Sequence, residues 1–144
     1  MKTSRPALFF FAATAFISTA ANAAQLTVMK SPYCGCCAKW IEHVQQHGFT
    51  VKVVDTEDMG AVKKRLGVPN RLASCHTTMA GGYFIEGHVP AADIKRLLAQ
   101  KPKATGIAVP GMPAGSPGME MAGKEPYATI LVRSDGTTGV FARH

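Results

Sequence analysis

Two spacings of apolar residues alternate along the middle of the chain, and each predicts a different element. Residues 25–30 and 50–54 are short apolar or β-branched runs, which are typical of strands. Between them, residues 36–47 carry apolar side chains three and four positions apart, the spacing of a helix, which Gly48 ends. A second helix is predicted for residues 55–66. Two strands joined by a helix predict a parallel pair with a right-handed crossover.

The pattern then changes to a hairpin and a third helix. Residues 74–80 and 83–89 are strand candidates on either side of a turn formed by two glycines. Residues 90–100 return to helical spacing. The resulting order, β-α-β-α-β-β-α, is the order of a thioredoxin fold. We therefore predict an α/β protein with a thioredoxin-like domain over residues 24–100.

The C-terminal part, residues 101–144, has a different composition. Residues 101–126 are rich in proline and glycine and show little periodicity, which predicts a long loop, either structured or flexible. Residues 127–132 and 138–142 are strand-like and flank a Ser-Asp-Gly turn, which predicts a terminal hairpin. We treat residues 101–144 as an extension of the domain, made of a loop and a β-hairpin.

Residues 1–23 have the features of a signal peptide. Two basic residues precede an apolar run at residues 7–21, and residues 21–23 read Ala-Asn-Ala, as a signal peptidase requires. A retained membrane anchor is the alternative, but a run of about 15 residues is short for the ~20 that span a bilayer. We predict cleavage after Ala23, export and no membrane span in the mature chain.

Composition limits the partners. A chain of 144 residues with 47% apolar residues suits one globular unit, and we predict a monomer. The 16 basic and 9 acidic side chains give a formal charge of +7. Because the basic residues are scattered and lack interleaved aromatic residues, they predict a solvated surface and no binding of nucleic acid.

The chemistry is concentrated in cysteines. Cys34, Cys36 and Cys37 lie between the first predicted strand and the first predicted helix. A thiol at a helix start faces unpaired backbone N–H groups and the positive end of the helix dipole, which favour its thiolate. In the predicted topology, Cys75 near the start of the third strand and His88 at the end of the fourth lie at the same sheet edge. The sequence therefore predicts that four thiolates and an imidazole converge.

Several kinds of chemistry fit these cysteines. Thiolates with methionine thioethers nearby favour Cu(I), whereas four cysteines alone also suit zinc. Cys34 and Cys37 have the Cys-x-x-Cys spacing of thiol-disulfide oxidoreductases, and a structural disulfide to Cys75 is a further alternative. Neither a redox pair nor a single disulfide requires Cys36. We prefer a copper site and keep the other interpretations open.

Three other residues are weaker candidates. His88 can bind a metal or hydrogen-bond the start of the next helix. Met112, in Pro-Gly-Met-Pro, can supply a thioether or pack as an ordinary loop residue. His76 is predicted to point away from Cys75, because neighbouring residues on a strand face opposite sides. The candidate ligand set thus adds His88 and Met112 to the cysteines and leaves out His76.

Four separated motifs resemble one family. They are Cys-Gly-Cys-Cys at 34–37 after Ser-Pro-Tyr, Ala-Ser-Cys-His at 73–76, Tyr-Phe-Ile-Glu-Gly-His-Val-Pro at 83–90, and Ala-Val-Pro-Gly-Met-Pro-Ala-Gly-Ser-Pro-Gly-Met-Glu at 108–120. With them the chain resembles the Cys-x-Cys-Cys family of exported copper-resistance proteins called CopG. The resemblance covers essentially the whole mature chain.

The resemblance implies a function. It implies a thioredoxin-like domain whose C-terminal extension helps bind metal, and a cysteine-bridged multinuclear copper cluster at Cys34, Cys36, Cys37 and Cys75. It also implies interconversion of Cu(I) and Cu(II) in the periplasm, in support of the copper efflux machinery. Two rival functions stay open. One is a copper buffer or chaperone without turnover, and the other is a thiol-disulfide oxidoreductase that uses Cys34 and Cys37.

Overall fold

The computed structural model describes residues 24–144, and the predicted signal peptide lies outside them. The described part contains seven strands and three α-helices. The strands are β1 (Gln25–Lys30), β2 (Thr50–Asp55), β3 (Thr77–Ala80), β4 (Tyr83–Glu86), β5 (Ala104–Ala108), β6 (Ala128–Arg133) and β7 (Thr138–Arg143). The helices are α1 (Gly35–Gln46), α2 (Met59–Arg65) and α3 (Ala91–Gln100). No helix in residues 24–144 is long and apolar enough to cross a membrane.

All seven strands form one mixed sheet in the order β2-β1-β3-β4-β5-β6-β7. The predicted order of the first seven elements, from β1 to α3, is confirmed, and so are the parallel pairing of β1 with β2 and the hairpin of β3 and β4. The sheet is larger than the predicted domain, which has four strands. The thioredoxin-like assignment of residues 24–100 therefore stays a prediction.

The loop predicted for residues 101–126 is wrong at its start, where β5 forms. This strand pairs in parallel with β4, and β6 then pairs antiparallel with β5. Its short run lacks an alternating pattern because Gly106 and Ile107 are both buried inside the sheet. A Cβ at Gly106 would lie 2.2 Å from the Phe84 carbonyl oxygen, so the close approach of the two strands requires glycine.

Two hydrophobic clusters lie on opposite faces of this sheet. Neighbouring residues of β4 show the alternation, since Phe84 belongs to one cluster and Ile85 to the other. The larger cluster contains apolar residues of α1 and α3, including Trp40 and Leu97. Burial of these side chains fixes α1 against the sheet, with its first turn next to the end of β1. This arrangement places the predicted cysteine cluster at one edge of the sheet.

The predicted division of the chain after residue 100 stays a prediction. Strands from both sides of that division are neighbours in the sheet, since β4 pairs with β5. The predicted terminal hairpin is confirmed as β6 and β7, which pair antiparallel. The extension therefore enlarges the sheet of the first part of the chain.

Candidate metal centre

The first turn of α1 carries the three clustered cysteines. Cys34 precedes the helix in an extended conformation, at the N-cap position, and its N–H donates to the Ser31 carbonyl at 3.1 Å. Cys37 is fully buried, whereas Cys34 and Cys36 are half-buried. The helix start thus directs one sulfur into the protein and leaves two near the surface.

Cys75 comes from a different segment, which is fixed by a buried carboxylate. Glu86 is fully buried and accepts hydrogen bonds from the Ser74 N–H and the Thr77 hydroxyl, both at 2.6 Å. The Lys63 ammonium lies 2.5 Å from the same carboxylate. These contacts hold the chain on both sides of Cys75. The ion pair between Lys63 and Glu86, which the sequence analysis did not predict, therefore orients Cys75, which is a predicted ligand.

We call the group formed by Cys34, Cys36, Cys37 and Met112 the sulfur side. The Cys34 and Cys37 sulfurs form a disulfide, and the Cys36 sulfur lies 3.5 Å from that of Cys34. The Met112 sulfur lies 3.9 Å from that of Cys36. Cys75 adjoins this group, with its sulfur 3.6 Å from that of Cys37. The structure thus brings the four cysteines and Met112 together.

We call His76 and His88 the imidazole side, with Cys75 between the two sides. The Cys75 sulfur lies 3.0 Å from Nε2 of His88 and 3.2 Å from Nδ1 of His76. Both imidazoles are fully buried. His88 is a predicted site residue and lies where the prediction needs it, although β4 ends before it.

The prediction that His76 points away from Cys75 is wrong. It assumed that β3 starts before residue 75, whereas β3 starts at Thr77, with a bend at Cys75 and no regular structure at His76. Alternation between opposite faces applies to pleated strands and not to bends. The adjacent Cys75 and His76 were the available signal of a shared site. Whether both side chains face that site depends on where β3 starts, which the sequence does not determine.

The surroundings keep Cys75 and the two histidines of the imidazole side uncharged when no metal is bound. Burial, and after it the nearby Cys36 thiol, raises the pKa of Cys75 to about 12. Burial also lowers the pKa of His76 to about 3, with a smaller contribution from His88. Burial lowers the pKa of His88 as well, although its hydrogen bond to the Pro117 carbonyl opposes this. A soft metal ion would therefore replace a proton at Cys75 and meet neutral imidazoles.

The C-terminal extension covers the imidazole side. The buried residues 116–118 pass over it, and the Pro117 carbonyl accepts a hydrogen bond from Nδ1–H of His88 at 2.7 Å. This bond leaves Nε2 of His88 with a lone pair directed at Cys75. On the other side of the segment, an open cleft of about 510 Å³ is lined by Cys36, Met119 and Met121. The segment that starts at residue 116 thus covers the imidazole side and borders an open cleft next to the sulfur side.

These donors form two overlapping groups that could hold a metal ion. One consists of the four cysteines and the other of Cys75, His76 and His88, with the ligand atoms of each group within 4.8 Å of one another. Thiolate, thioether and imidazole are ligands of copper and zinc, whereas Mg²⁺ and Ca²⁺ prefer oxygen. The donor set therefore fits a copper or zinc ion.

The fold and this donor set define a mixed α/β protein with a cysteine-rich candidate metal centre. Two solved structures named copper resistance protein CopG, form 1 and form 2, are similar to it at 44% sequence identity. The match covers 85% of this chain and 98% or 99% of theirs, with TM-scores of 0.80 and 0.82. A family model described as protein of unknown function DUF411 matches residues 72–119. No curated protein matches. The chain belongs to the CopG family of copper-resistance proteins.

Proposed function

We propose that this chain is an exported copper-binding protein that acts in copper resistance in the periplasm. The observation that carries the proposal is the meeting of four cysteine sulfurs from two separate segments, with a methionine sulfur 3.9 Å from one of them. Thiolates and thioethers together are the soft ligands that select Cu(I). The similar structures are named for copper resistance, which supports copper over zinc.

The number of sulfurs supports a cluster of several copper ions. Adjacent Cys36 and Cys37 cannot readily close one tetrahedron with Cys34, whereas crowded thiolates can bridge neighbouring ions. In this proposal Cys34, Cys36, Cys37 and Cys75 would hold the copper ions as thiolates once the Cys34–Cys37 disulfide is reduced, and His88 and Met112 would supply further ligands. Residues 24–100 form the thioredoxin-like domain and residues 101–144 the extension that completes the site.

The Cys34–Cys37 disulfide supports a redox role for the same centre. Two thiolates that form one disulfide release two electrons, and two Cu(II) ions that become Cu(I) accept them. The reverse reaction opens the disulfide and oxidises two Cu(I) ions. Because electrons and charges balance within the centre, the protein can interconvert Cu(I) and Cu(II) once per disulfide. Further turnovers need an electron partner. The protein acts as a monomer in this proposal, and the copper efflux machinery would receive the Cu(I) from it.

Thiol-disulfide oxidoreductase activity is a second candidate, which the same disulfide favours. In that case copper-free protein exchanges disulfides with thiol substrates, and the exchange depends on Cys34 and Cys37. A copper buffer or chaperone is the third candidate and predicts tight binding without a change of oxidation state. Copper-free exchange assays and the oxidation state of released copper separate the three.

The test is the copper content and absorption spectrum of the exported protein, reduced and then supplied with Cu(I). We expect several ions per chain and sulfur-to-copper charge-transfer bands in the ultraviolet. Cys36→Ser should lose most of both while its circular dichroism stays unchanged. If Cys36→Ser binds as many ions as the parent, the four-thiolate centre is wrong.

A pair of methionine variants tests the thioether. Met112→Leu should weaken Cu(I) binding severalfold, and Met59→Leu at the start of α2 should not, because Met59 lies outside the centre. Competition with a chromogenic Cu(I) chelator measures both. Equal affinities in the two variants would remove Met112 from the ligand set.

A further inference from the structure

Cys75 has the surroundings of a nucleophile. Its sulfur lies 3.0 Å from Nε2 of His88, and Nδ1–H of His88 donates to the Pro117 carbonyl at 2.7 Å. That hydrogen bond fixes the tautomer in which Nε2 accepts a proton. A thiol beside an imidazole base that a third group orients is the arrangement that activates cysteine nucleophiles. The protein therefore holds a base in contact with the Cys75 thiol.

The nearest electrophile is the Cys34–Cys37 disulfide. The Cys75 sulfur lies 3.6 Å from that of Cys37, a little beyond the 3–3.5 Å of reacting atoms about to form a bond. A disulfide breaks when a thiol attacks one of its sulfurs directly. Since Cys37 is fully buried, a thiol from solvent does not reach it, whereas Cys75 contacts it from inside the protein.

Cys34 has the surroundings of a leaving group. It is the N-cap residue of α1 and is half-buried near the surface. Unpaired N–H groups and the positive end of the helix dipole favour a thiolate at a helix start. Exchange is faster when the leaving thiol ionises easily. Attack on Cys37 therefore leaves negative charge where the helix stabilises it.

The backbone holds the attacking cysteine in place. The Ser74 N–H before it donates to the buried Glu86 carboxylate at 2.6 Å, and the His76 carbonyl after it accepts from the Gly87 N–H at 3.0 Å. These bonds fix the bend that carries Cys75 before any reaction. The reacting sulfurs therefore meet without a search through other conformations.

We propose that Cys75 attacks the Cys37 sulfur, with His88 as general base, and moves the disulfide from Cys34–Cys37 to Cys37–Cys75. One S–S bond forms and one breaks, so the exchange needs no oxidant or reductant. The Cys75 proton passes to Nε2 of His88, and the negative charge appears on the Cys34 thiolate. The exchange moves the disulfide into the protein and leaves Cys34 and Cys36 as thiols near the surface. It goes beyond the proposed function, because it needs no copper.

The parent protein gives the first test. Oxidised, copper-free protein is alkylated to block free thiols and is then digested with trypsin, which cleaves after lysine and arginine. The three clustered cysteines lie in one peptide, residues 31–39, and Cys75 lies in another, residues 72–95. We expect mass spectra to show a disulfide between the two peptides, with the bond at Cys37. If every disulfide lies within residues 31–39, the proposal is wrong.

Variants give the second test. Cys36→Ser removes a second thiol that lies 3.5 Å from the Cys34 sulfur. One free thiol then remains, at Cys75 before the exchange and at Cys34 after it. A thiol-labelling reagent traps either form, and the labelled peptide identifies it. We expect label at Cys34, and label at Cys75 alone would overturn the exchange.

The general base is tested in the Cys36→Ser background. His88→Gln should slow the labelling of Cys34 at least about tenfold, because it removes the base. His47→Gln changes an exposed histidine near the other end of α1 and should leave the rate unchanged. Circular dichroism checks the fold of both variants. An unchanged rate in folded His88→Gln would remove His88 from the reaction.

Copper binding by the reduced parent separates this inference from the proposed function. If the parent binds Cu(I) but its oxidised form shows no exchange, the inference fails and the copper protein stands. If the exchange occurs and the reduced parent binds no Cu(I), the proposed function fails and the exchange stands.

Discussion

The sulfur side and the imidazole side differ most in their access to solvent. Met112 on the sulfur side is 51% exposed, and Cys36 borders the open cleft. On the imidazole side, the accessible surface of His76 and His88 is 0%. Ligands that exchange copper with a partner must be reachable, whereas ligands that set a redox potential act best away from water. If the centre binds copper as proposed, we therefore expect copper to enter and leave at the sulfur side.

The two sides also differ in what supports them. The three cysteines of the sulfur side depend on one helix turn and a disulfide between residues three positions apart, and only Met112 reaches them from a distant segment. The imidazole side depends on contacts between distant segments, above all the Glu86 carboxylate with Lys63 and the Pro117 carbonyl with His88. A change in these supports should therefore affect the imidazole side more than the sulfur side.

Loss of the Glu86 carboxylate should have the largest effect. Glu86→Ala leaves the Lys63 ammonium without its buried partner and releases the Ser74 N–H. Removal of one partner of a buried ion pair costs about 3–5 kcal/mol of unfolding free energy. Urea denaturation of the copper-free protein measures this cost.

A second ion pair provides the matched control. Lys30 and Asp55 lie 3.1 Å apart, but the Asp55 side chain is 56% exposed. Asp55→Ala should therefore cost less than about 1 kcal/mol. Similar costs for Asp55→Ala and Glu86→Ala would mean that the buried carboxylate gives the imidazole side no special support.

The segment that covers the imidazole side should be the next most sensitive feature. Gly118 has φ +87°, and a Cβ there would lie 2.9 Å from the Trp40 backbone nitrogen and 3.0 Å from the Cys36 carbonyl oxygen. Gly118→Ala must therefore displace the segment from α1, at a cost of about 1–3 kcal/mol. Thermal unfolding measures the cost, and hydrogen exchange at residues 116–118 measures the displacement.

Gly48 separates the two causes of this effect. It has the same φ as Gly118, +87°, but a Cβ there would meet no atom within 4 Å. Gly48→Ala therefore carries the strain of a positive φ without the steric overlap, and it should destabilise the protein less than Gly118→Ala. The opposite order would show that residues 116–118 are not tightly packed on α1.

The sequence predicts the fold up to α3 because its signals are local. Helical spacing in α1 and α3 and the turn at the β3–β4 hairpin depend on neighbouring residues alone. The strand β5 escapes prediction because its stability comes from β4 and β6 on either side of it. Such pairing leaves no periodic pattern when both faces of a strand are covered.

The site divides in the same way. The cysteines, His88 and Met112 can be chosen from their chemistry and from the order of the elements. His76 cannot, because its direction depends on whether β3 starts before or after it, and strand ends are the least certain part of such predictions. Glu86 and Lys63 also escape, since a carboxylate inside a strand and a lysine on a helix give no sign of pairing before the chain folds.

Replacement of His43 should have the smallest effect on the unfolding free energy. It measures the part of the pH dependence of stability that comes from a histidine outside the centre. Its Nε2 accepts the Ala91 N–H at 3.1 Å, at the start of α3, outside both sides of the centre. Burial and then the neighbouring His47 lower the pKa of His43, while Glu120 opposes them. Because the folded pKa lies below the unfolded value of about 6.5, the unfolded chain binds more protons as pH falls below 6.5.

The contribution of His43 to stability is therefore complete above pH 6.5 and is lost as pH falls through its lowered folded pKa. His43→Gln keeps an acceptor for Ala91 but does not titrate. Between pH 7.5 and 5, the parent should lose more unfolding free energy than His43→Gln, by less than about 1 kcal/mol because the side chain is half-exposed. Copper should leave this difference in unfolding free energy unchanged, since His43 does not contact the ligand atoms. If the difference disappears on copper loading, His43 is coupled to the copper ligands and the prediction is wrong.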